Sequence, residues 1–146
     1  MKKILVIHGP NFNMLGKREP GMYGSFTLAE LYTQLEQLGQ ELAVKVEFFQ
    51  SNHEGGLIDK IESLSKTETE GVLINPGAYG HTSIALRDAL LAWGKPFVEV
   101  HITNIYRRES FRHVSYLSDI AAGVVIGFGM DSYRLGLRGL VRIEKP

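Results

Sequence analysis

Apolar and polar positions follow two different spacings, and segments with the two spacings alternate along the chain. Short, largely apolar runs typical of buried parallel strands cover residues 3–8, 44–49, 71–75, 97–101 and 123–128. Apolar side chains spaced three and four apart, as on one face of a helix, cover residues 28–42, 56–65, 84–93 and 133–143. This alternation predicts an α/β fold in which helices cover both faces of a parallel sheet. We expect a flavodoxin-like, doubly wound sheet of five strands.

Two long connections, residues 9–26 and 102–122, interrupt the alternation. Connections in such folds usually have about 2–6 residues, and longer ones are often lids or binding loops. Polar residues also end three of the predicted strands, which close with His8, Asn75 and His101. Ligands of open parallel sheets bind outside the carboxyl ends of the strands. We therefore expect the functional site at this edge of the sheet.

The predicted helix 84–93 is apolar around most of its circumference. Thr82 or Ser83 can cap its start, and Gly94 can end it. We expect this helix to be buried on two sides. Its one carboxylate, Asp88, is costly there unless it is paired or exposed, and a solvent-facing Asp88 remains an open alternative.

Composition narrows the class of protein. The 146 residues hold 16 basic and 16 acidic side chains, which suits one domain over residues 1–146 and does not suit nucleic-acid binding. The absence of cysteine excludes disulfides and thiolate chemistry. The apolar run after Lys3 is too short for a signal peptide, and no run reaches the length of a membrane span. We expect a soluble cytoplasmic protein without a membrane partner.

Familiar cofactor and metal motifs fit poorly. Six residues separate Gly9 from Gly16-Lys17, and Arg18 follows where a phosphate-binding loop needs a hydroxyl. Gly127 and Gly129 begin a dinucleotide pattern that Ser132 breaks. The five histidines show no zinc-binding spacing. We expect neither a cofactor nor a metal.

The remaining polar residues suit proton transfer without a nucleophile. Glu99 and His101 alternate on one predicted strand, so both point to the same side and the carboxylate can hold one imidazole nitrogen. Arg18 can favour the phenolate form of Tyr23, which would turn that side chain into a base. A structural histidine and a surface tyrosine are the alternatives. The set favours proton abstraction and elimination over hydrolysis.

At these positions the chain closely resembles the type II dehydroquinases, the 3-dehydroquinate dehydratases of the shikimate pathway. The residues that carry the resemblance form three blocks in order: 8–20 with Tyr23-Gly24, 75–83, and 99–104 with 108–109 and 111–113. The resemblance implies a flavodoxin-like fold and the cofactor-free conversion of 3-dehydroquinate to 3-dehydroshikimate through an enolate. Phe12 and Met14 replace the common Leu, and Thr103 replaces the common Ser with its hydroxyl kept.

The resemblance also implies roles for single residues. Tyr23 would be the base that removes a proton beside the ketone, and Arg18 would lower its pKa and close over the site. Asn11 would stabilise the enolate, and His101, oriented by Glu99, would protonate the departing hydroxyl. The positions that match the family's substrate-binding residues are Asn75, His81, Asp88, Ile102, Thr103 and Arg112. The family's trimers, usually four to a dodecamer, would bring Asp88 to a neighbouring subunit's site.

Three other classes of protein remain open on fold alone. A flavodoxin-like electron carrier would bind flavin, and a signalling receiver needs an acidic cluster after the first strand, where this chain has His8-Gly9-Pro10-Asn11. A non-catalytic oligomeric scaffold would not need Tyr23 or His101. We rank the scaffold last because both residues are present.

Overall fold

The structure is a computed structural model, and it describes residues 1–17, 21 and 25–143. Within these ranges five parallel strands form one sheet in the order β2-β1-β3-β4-β5. The strands are β1 (Lys2–His8), β2 (Val44–Gln50), β3 (Thr69–Asn75), β4 (Phe97–His101) and β5 (Gly123–Ile126). This order is the flavodoxin-like one. The predicted fold class is confirmed.

The described ranges contain α-helices at α1 (Leu28–Glu41), α2 (Glu54–Ser63), α3 (Ile84–Trp93) and α4 (Met130–Val141). Thr27 caps α1, because its hydroxyl oxygen accepts a hydrogen bond from the Glu30 amide at 3.1 Å. Ser83 caps α3 in the same way through the Leu86 amide at 2.9 Å. Gly94 ends α3 in a left-handed conformation with φ 77°.

The helices cover the two faces of the sheet, and the pleat decides which strand residues meet which helices. In β1, Ile4 and Val6 belong to the core under α1 and α4, whereas Leu5 and Ile7 belong to the core under α2 and α3. All four side chains are buried. A strand covered on both faces needs apolar residues at every position, which accounts for the unbroken run 4–7.

The last helix begins three residues earlier than predicted, at Met130, and the hydroxyl of Ser132 in its first turn accepts a hydrogen bond from the Phe128 amide at 2.8 Å. β5 accordingly ends at Ile126. Gly136 lies inside this helix for a packing reason. A Cβ there would meet Leu73 Cδ1 at 2.8 Å and Val100 Cγ2 at 2.9 Å, so glycine lets α4 approach the sheet closely.

The expectation that α3 is buried on two sides is not met in the single chain, since Ile84 and Leu91 on its outer face are 58% and 52% exposed. Between β4 and β5, where the sequence indicates an interruption of the alternation, the described structure has the short 3-10 turns Ile105–Arg107 and Ser110–Arg112 and no α-helix. This segment is rich in polar and aromatic residues and has no long apolar face to bury.

Among the described residues, no helix is both long enough and apolar enough to cross a membrane.

Candidate active site

A pocket opens at the carboxyl ends of β1, β3 and β4, as the strand topology predicts. It encloses about 610 Å³ of empty space, a volume that includes the open solvent at its mouth. Of the site residues predicted from the sequence, the pocket is lined by Asn11, Asn75, His81, His101, Ile102, Thr103 and Arg112. Arg108 lines it too.

Glu99 lies behind His101 and does not face the pocket directly. His101 Nε2 is 2.5 Å from Glu99 Oε2, and the Glu99 side chain is fully buried. Burial alone would raise the pKa of the Glu99 carboxyl, but the hydrogen bonds from His101, Ser118 and Ser115 hold this pKa below its usual value. The pair is therefore an ionised carboxylate that orients an imidazole at the pocket wall.

Ser115 and Ser118 complete the surroundings of the Glu99 carboxylate. The Ser118 hydroxyl donates to Oε1 at 2.6 Å, and the Ser115 hydroxyl lies 2.9 Å from Oε2 and 3.1 Å from Oε1. Sequence analysis assigned no role to either serine. Both lie in the long connection between β4 and β5, and no local sequence signal links that connection to a residue on β4.

His81 stacks on His101, with ring centroids 6.1 Å apart and an interplanar angle of 22°. Its Nδ1 donates to the Val114 carbonyl oxygen at 2.8 Å, which leaves Nε2 as the acceptor nitrogen of a neutral ring. Burial lowers the pKa of His81 below its usual value, and the nearby His101 and Arg112 act in the same direction. His81 therefore faces the pocket as a neutral ring.

Asn75 ends β3 and belongs to a buried polar network. Its Nδ2 donates to the Tyr133 hydroxyl at 2.9 Å, and its Oδ1 accepts from the Gly77 amide at 3.2 Å. The Tyr133 hydroxyl also lies 2.9 Å from His8 Nε2. Burial lowers the pKa of His8 to about 3 and raises that of Tyr133, so both groups are neutral and the network fixes the Asn75 amide.

Asn11 has a left-handed backbone conformation, with φ 71°, which asparagine tolerates better than most residues. The amide of Asn11 donates to Asn52 Oδ1 at 2.9 Å, and the same oxygen accepts from Gln50 Nε2 at 3.1 Å. Asn52 thus joins the loop after β2 to the loop after β1. No role for Asn52 is predicted from the sequence.

The cationic side of the pocket comes from the segment after β4. Arg108 Nη1 lies 3.4 Å from Thr103 Oγ1, and Arg112 Nε lies 3.2 Å from Glu109 Oε1. Ile102 is buried, and its carbonyl oxygen accepts from the Gly129 amide at 3.0 Å. Guanidinium groups beside a threonine hydroxyl suit a ligand that carries a carboxylate and hydroxyl groups.

Asp88 is the predicted substrate-binding residue that the described structure does not bring to the pocket. It is exposed on α3 and is not part of the pocket wall of the single chain. Arg18 and Tyr23 lie outside the described residues. Among the residues that are described, no group of three or more His, Asp or Glu side chains could hold a metal ion.

Comparisons with known proteins agree on one family. The family model described as dehydroquinase class II matches residues 2–141. A 3-dehydroquinate dehydratase of Nostoc sp. is 59% identical over 139 residues, which are 94% of this chain and 93% of the relative. One from Bordetella avium is 55% identical over 141 residues, covering 97% of this chain and 98% of the relative. The crystal structure of a type II dehydroquinase from Butyrivibrio crossotus superposes with a TM-score of 0.92 at 42% identity and covers 94% of this chain and 96% of that one.

Proposed function

The chain belongs to the class II dehydroquinases, and on this premise we propose that it removes water from 3-dehydroquinate through an enolate and forms 3-dehydroshikimate. The family makes it a hydro-lyase. The observation that carries the proposal is the Glu99–His101 pair, an acid with its orienting carboxylate, at the wall of a pocket lined by guanidinium and amide groups. We also propose that the chain is a single catalytic domain, that it acts in the shikimate pathway and that it works in the cytoplasm.

His101 acts as the general acid. Its Nε2 is occupied by the Glu99 carboxylate, so the proton that reaches the departing hydroxyl comes from Nδ1. The ring that remains is neutral and keeps its Nε2–H on Glu99. Throughout the cycle the carboxylate fixes the orientation of the imidazole.

Tyr23 acts as the base, and Arg18 favours its phenolate form. These two roles rest on the resemblance to the family. The described part of the site supports the step that follows, because Asn11 lines the pocket that His101 also lines. Asn11 stabilises the enolate oxygen through a water molecule.

Asn75, His81, Ile102, Thr103 and Arg112 bind the substrate. Arg112 provides the positive charge that a carboxylate substrate needs, and Thr103 and the amide of Asn75 provide hydrogen-bonding groups for ring hydroxyls. His81 adds a neutral acceptor nitrogen. Because the Tyr133–Asn75 contact fixes one amide group, the pocket is preorganised on this side.

The chain works as a homo-oligomer, a trimer or a dodecamer of four trimers. The exposed Ile84 and Leu91 on the outer face of α3 support an interface there. Asp88 lies on the same helix, and in the assembly it completes a neighbouring subunit's site.

The test is direct. Purified protein mixed with 3-dehydroquinate should produce a rising absorbance in the enone band, and dialysis against a chelator should leave the rate unchanged. Borohydride added with the substrate should also leave the enzyme active, because the mechanism forms no imine. A protein that yields no enone product would contradict the proposal.

A further inference from the structure

The long connection between β4 and β5 contributes to the acid pair as well as to the pocket. We propose that Ser115 and Ser118 are positioning residues for the elimination, holding the Glu99 carboxylate ionised and aligned behind His101. This inference rests on the proposed function for its kinetic consequences. Its structural part concerns only the carboxylate and its hydrogen-bond donors.

Hydrogen bonds reach both carboxylate oxygens of Glu99. Oε2 receives His101 Nε2 at 2.5 Å and Ser115 Oγ at 2.9 Å, while Oε1 receives Ser118 Oγ at 2.6 Å and Ser115 Oγ at 3.1 Å. The Ser115 oxygen already accepts from two backbone amides, so its hydrogen is donated to the carboxylate. An ionised carboxylate can accept all of these hydrogen bonds at once, and the arrangement therefore favours the carboxylate form although the side chain is fully buried.

The two serines do not have equal roles in the local fold. The Ser115 oxygen also accepts from the amides of Leu117, at 3.1 Å, and Ser118, at 3.2 Å, so it holds the turn together. Its hydroxyl hydrogen can therefore be donated to the Glu99 carboxylate. The described contact of the Ser118 side chain is with Glu99 alone. Ser118 is therefore the position where the carboxylate can be tested with little change to the turn.

The segment that carries the serines is anchored to elements outside β4. The Tyr116 amide donates to the Gly80 carbonyl oxygen at 2.8 Å, in the 3-10 turn Gly77–His81. Arg87 on α3 donates to the Tyr116 carbonyl oxygen at 2.9 Å and pairs with Asp119. The hydroxyl groups are thus held against Glu99 by a fixed segment, which is what a positioning role requires.

The experiment compares Ser118→Ala with Ser118→Thr, which keeps the hydroxyl. The matched control is Ser65→Ala, since the exposed Ser65 hydroxyl donates only to the Glu62 carbonyl oxygen at 3.0 Å on the far side of the fold. Turnover and KM are measured across pH with 3-dehydroquinate. Infrared spectra of protein labelled with [13C]glutamate then follow the ionisation of Glu99 without substrate, with Glu99→Gln assigning the band.

Loss of one hydrogen bond to a buried charge should lower the kcat of Ser118→Ala by at least about tenfold, with KM nearly unchanged. The acid limb of its kcat profile should move to higher pH, and the Glu99 carboxylic-acid band should persist to higher pH than in the wild type. Ser118→Thr should restore most of the turnover, and Ser65→Ala should behave as the wild type.

Two outcomes would overturn the inference. One is wild-type kcat and an unmoved acid limb in Ser118→Ala. The other is a lower kcat without a change in the Glu99 band, which would mark a structural effect of the turn. If the wild type makes no product, the proposed function fails, and the infrared comparison still decides whether the serines control the carboxylate.

Discussion

Gly9 lies so close to Pro76 that no side chain fits between them. A Cβ on Gly9 would stand 2.1 Å from the Pro76 carbonyl oxygen, and the Gly9 amide donates to the Asn75 carbonyl oxygen at 2.9 Å. This contact joins the ends of β1 and β3 directly beneath the pocket. Backbone groups in such contact cannot move apart without changing the loops that follow β1 and β3.

Gly9→Ala should therefore lower the free energy of unfolding by about 1–3 kcal/mol, as overpacking does, and should weaken substrate binding as well. Gly55→Ala is the matched control, because a Cβ at Gly55 meets nothing within 4 Å and the residue lies in α2. That change should be neutral or stabilising by up to about 1 kcal/mol. Denaturant unfolding of both variants checks the pair, and equal stabilities would contradict the role of the contact.

His8 should make the fold sensitive to acid. Burial lowers its pKa in the folded chain to about 3, whereas an unfolded histidine takes up a proton below about pH 6.5. The unfolded state therefore binds more protons between these two values, and stability should fall as the pH drops from about 6.5 towards 3. The loss attributable to this one group is of order 4 kcal/mol.

The measurement is the free energy of unfolding as a function of pH for the wild type and His8→Gln. The variant should have a shallower slope in this window, although it is less stable at neutral pH because it disturbs the contact with Tyr133. His53→Gln, at an exposed histidine, should keep the wild-type slope. A wild-type slope in His8→Gln would show that other groups cause the acid sensitivity.

Tyr23→Phe should lower turnover by several orders of magnitude while substrate still binds, because phenylalanine has no phenol oxygen to take the proton. Arg18→Ala should lower turnover and move the ionisation of the base to higher pH in the pH profile, since an unperturbed tyrosine is only about one part in a thousand phenolate at neutral pH. Tyr32→Phe is the control, because burial raises the pKa of Tyr32 to about 12 and it cannot serve as the base. Near-wild-type turnover in Tyr23→Phe would show that another group is the base, and His81 is the next candidate.

Shared sites between subunits can be tested by mixing inactive chains. Asp88→Ala and Tyr23→Phe chains should each be inactive alone and should regain part of the activity in mixed oligomers, because some sites then combine intact residues from two chains. Light scattering confirms the assembly. Confirmed mixed oligomers without activity would exclude a role for Asp88 across the interface.

Sequence patterns predict the sheet well because each strand carries its own apolar signal. They also predict the Glu99–His101 contact, since two residues apart on a strand share a face. They do not predict Ser115, Ser118 or Tyr133 as partners of site residues. These contacts depend on how distant segments pack, and a serine in a loop or a tyrosine on a helix has the same local signal whether or not it meets a buried polar group.

The outer face of α3 shows a second limit of local patterns. Its apolar circumference predicts burial correctly for Leu86 and Leu90, which are buried. Ile84 and Leu91 carry the same signal but face outwards in the single chain. A sequence pattern predicts that a residue is buried. It does not predict whether its own chain or a neighbouring chain buries it.

The hydrogen bond between His8 and Tyr133 joins residues 125 positions apart, so the timing of synthesis bears on the site. On the ribosome, β1 emerges well before α4. The hydroxyl that steadies Asn75 arrives only when α4 has left the exit tunnel. Until then the imidazole of His8 and the amide of Asn75 lack a shared partner, and closing such a distant contact is a slow step of folding. A chain that stops before α4 would contain all five strands of the described sheet yet could not assemble this part of the pocket.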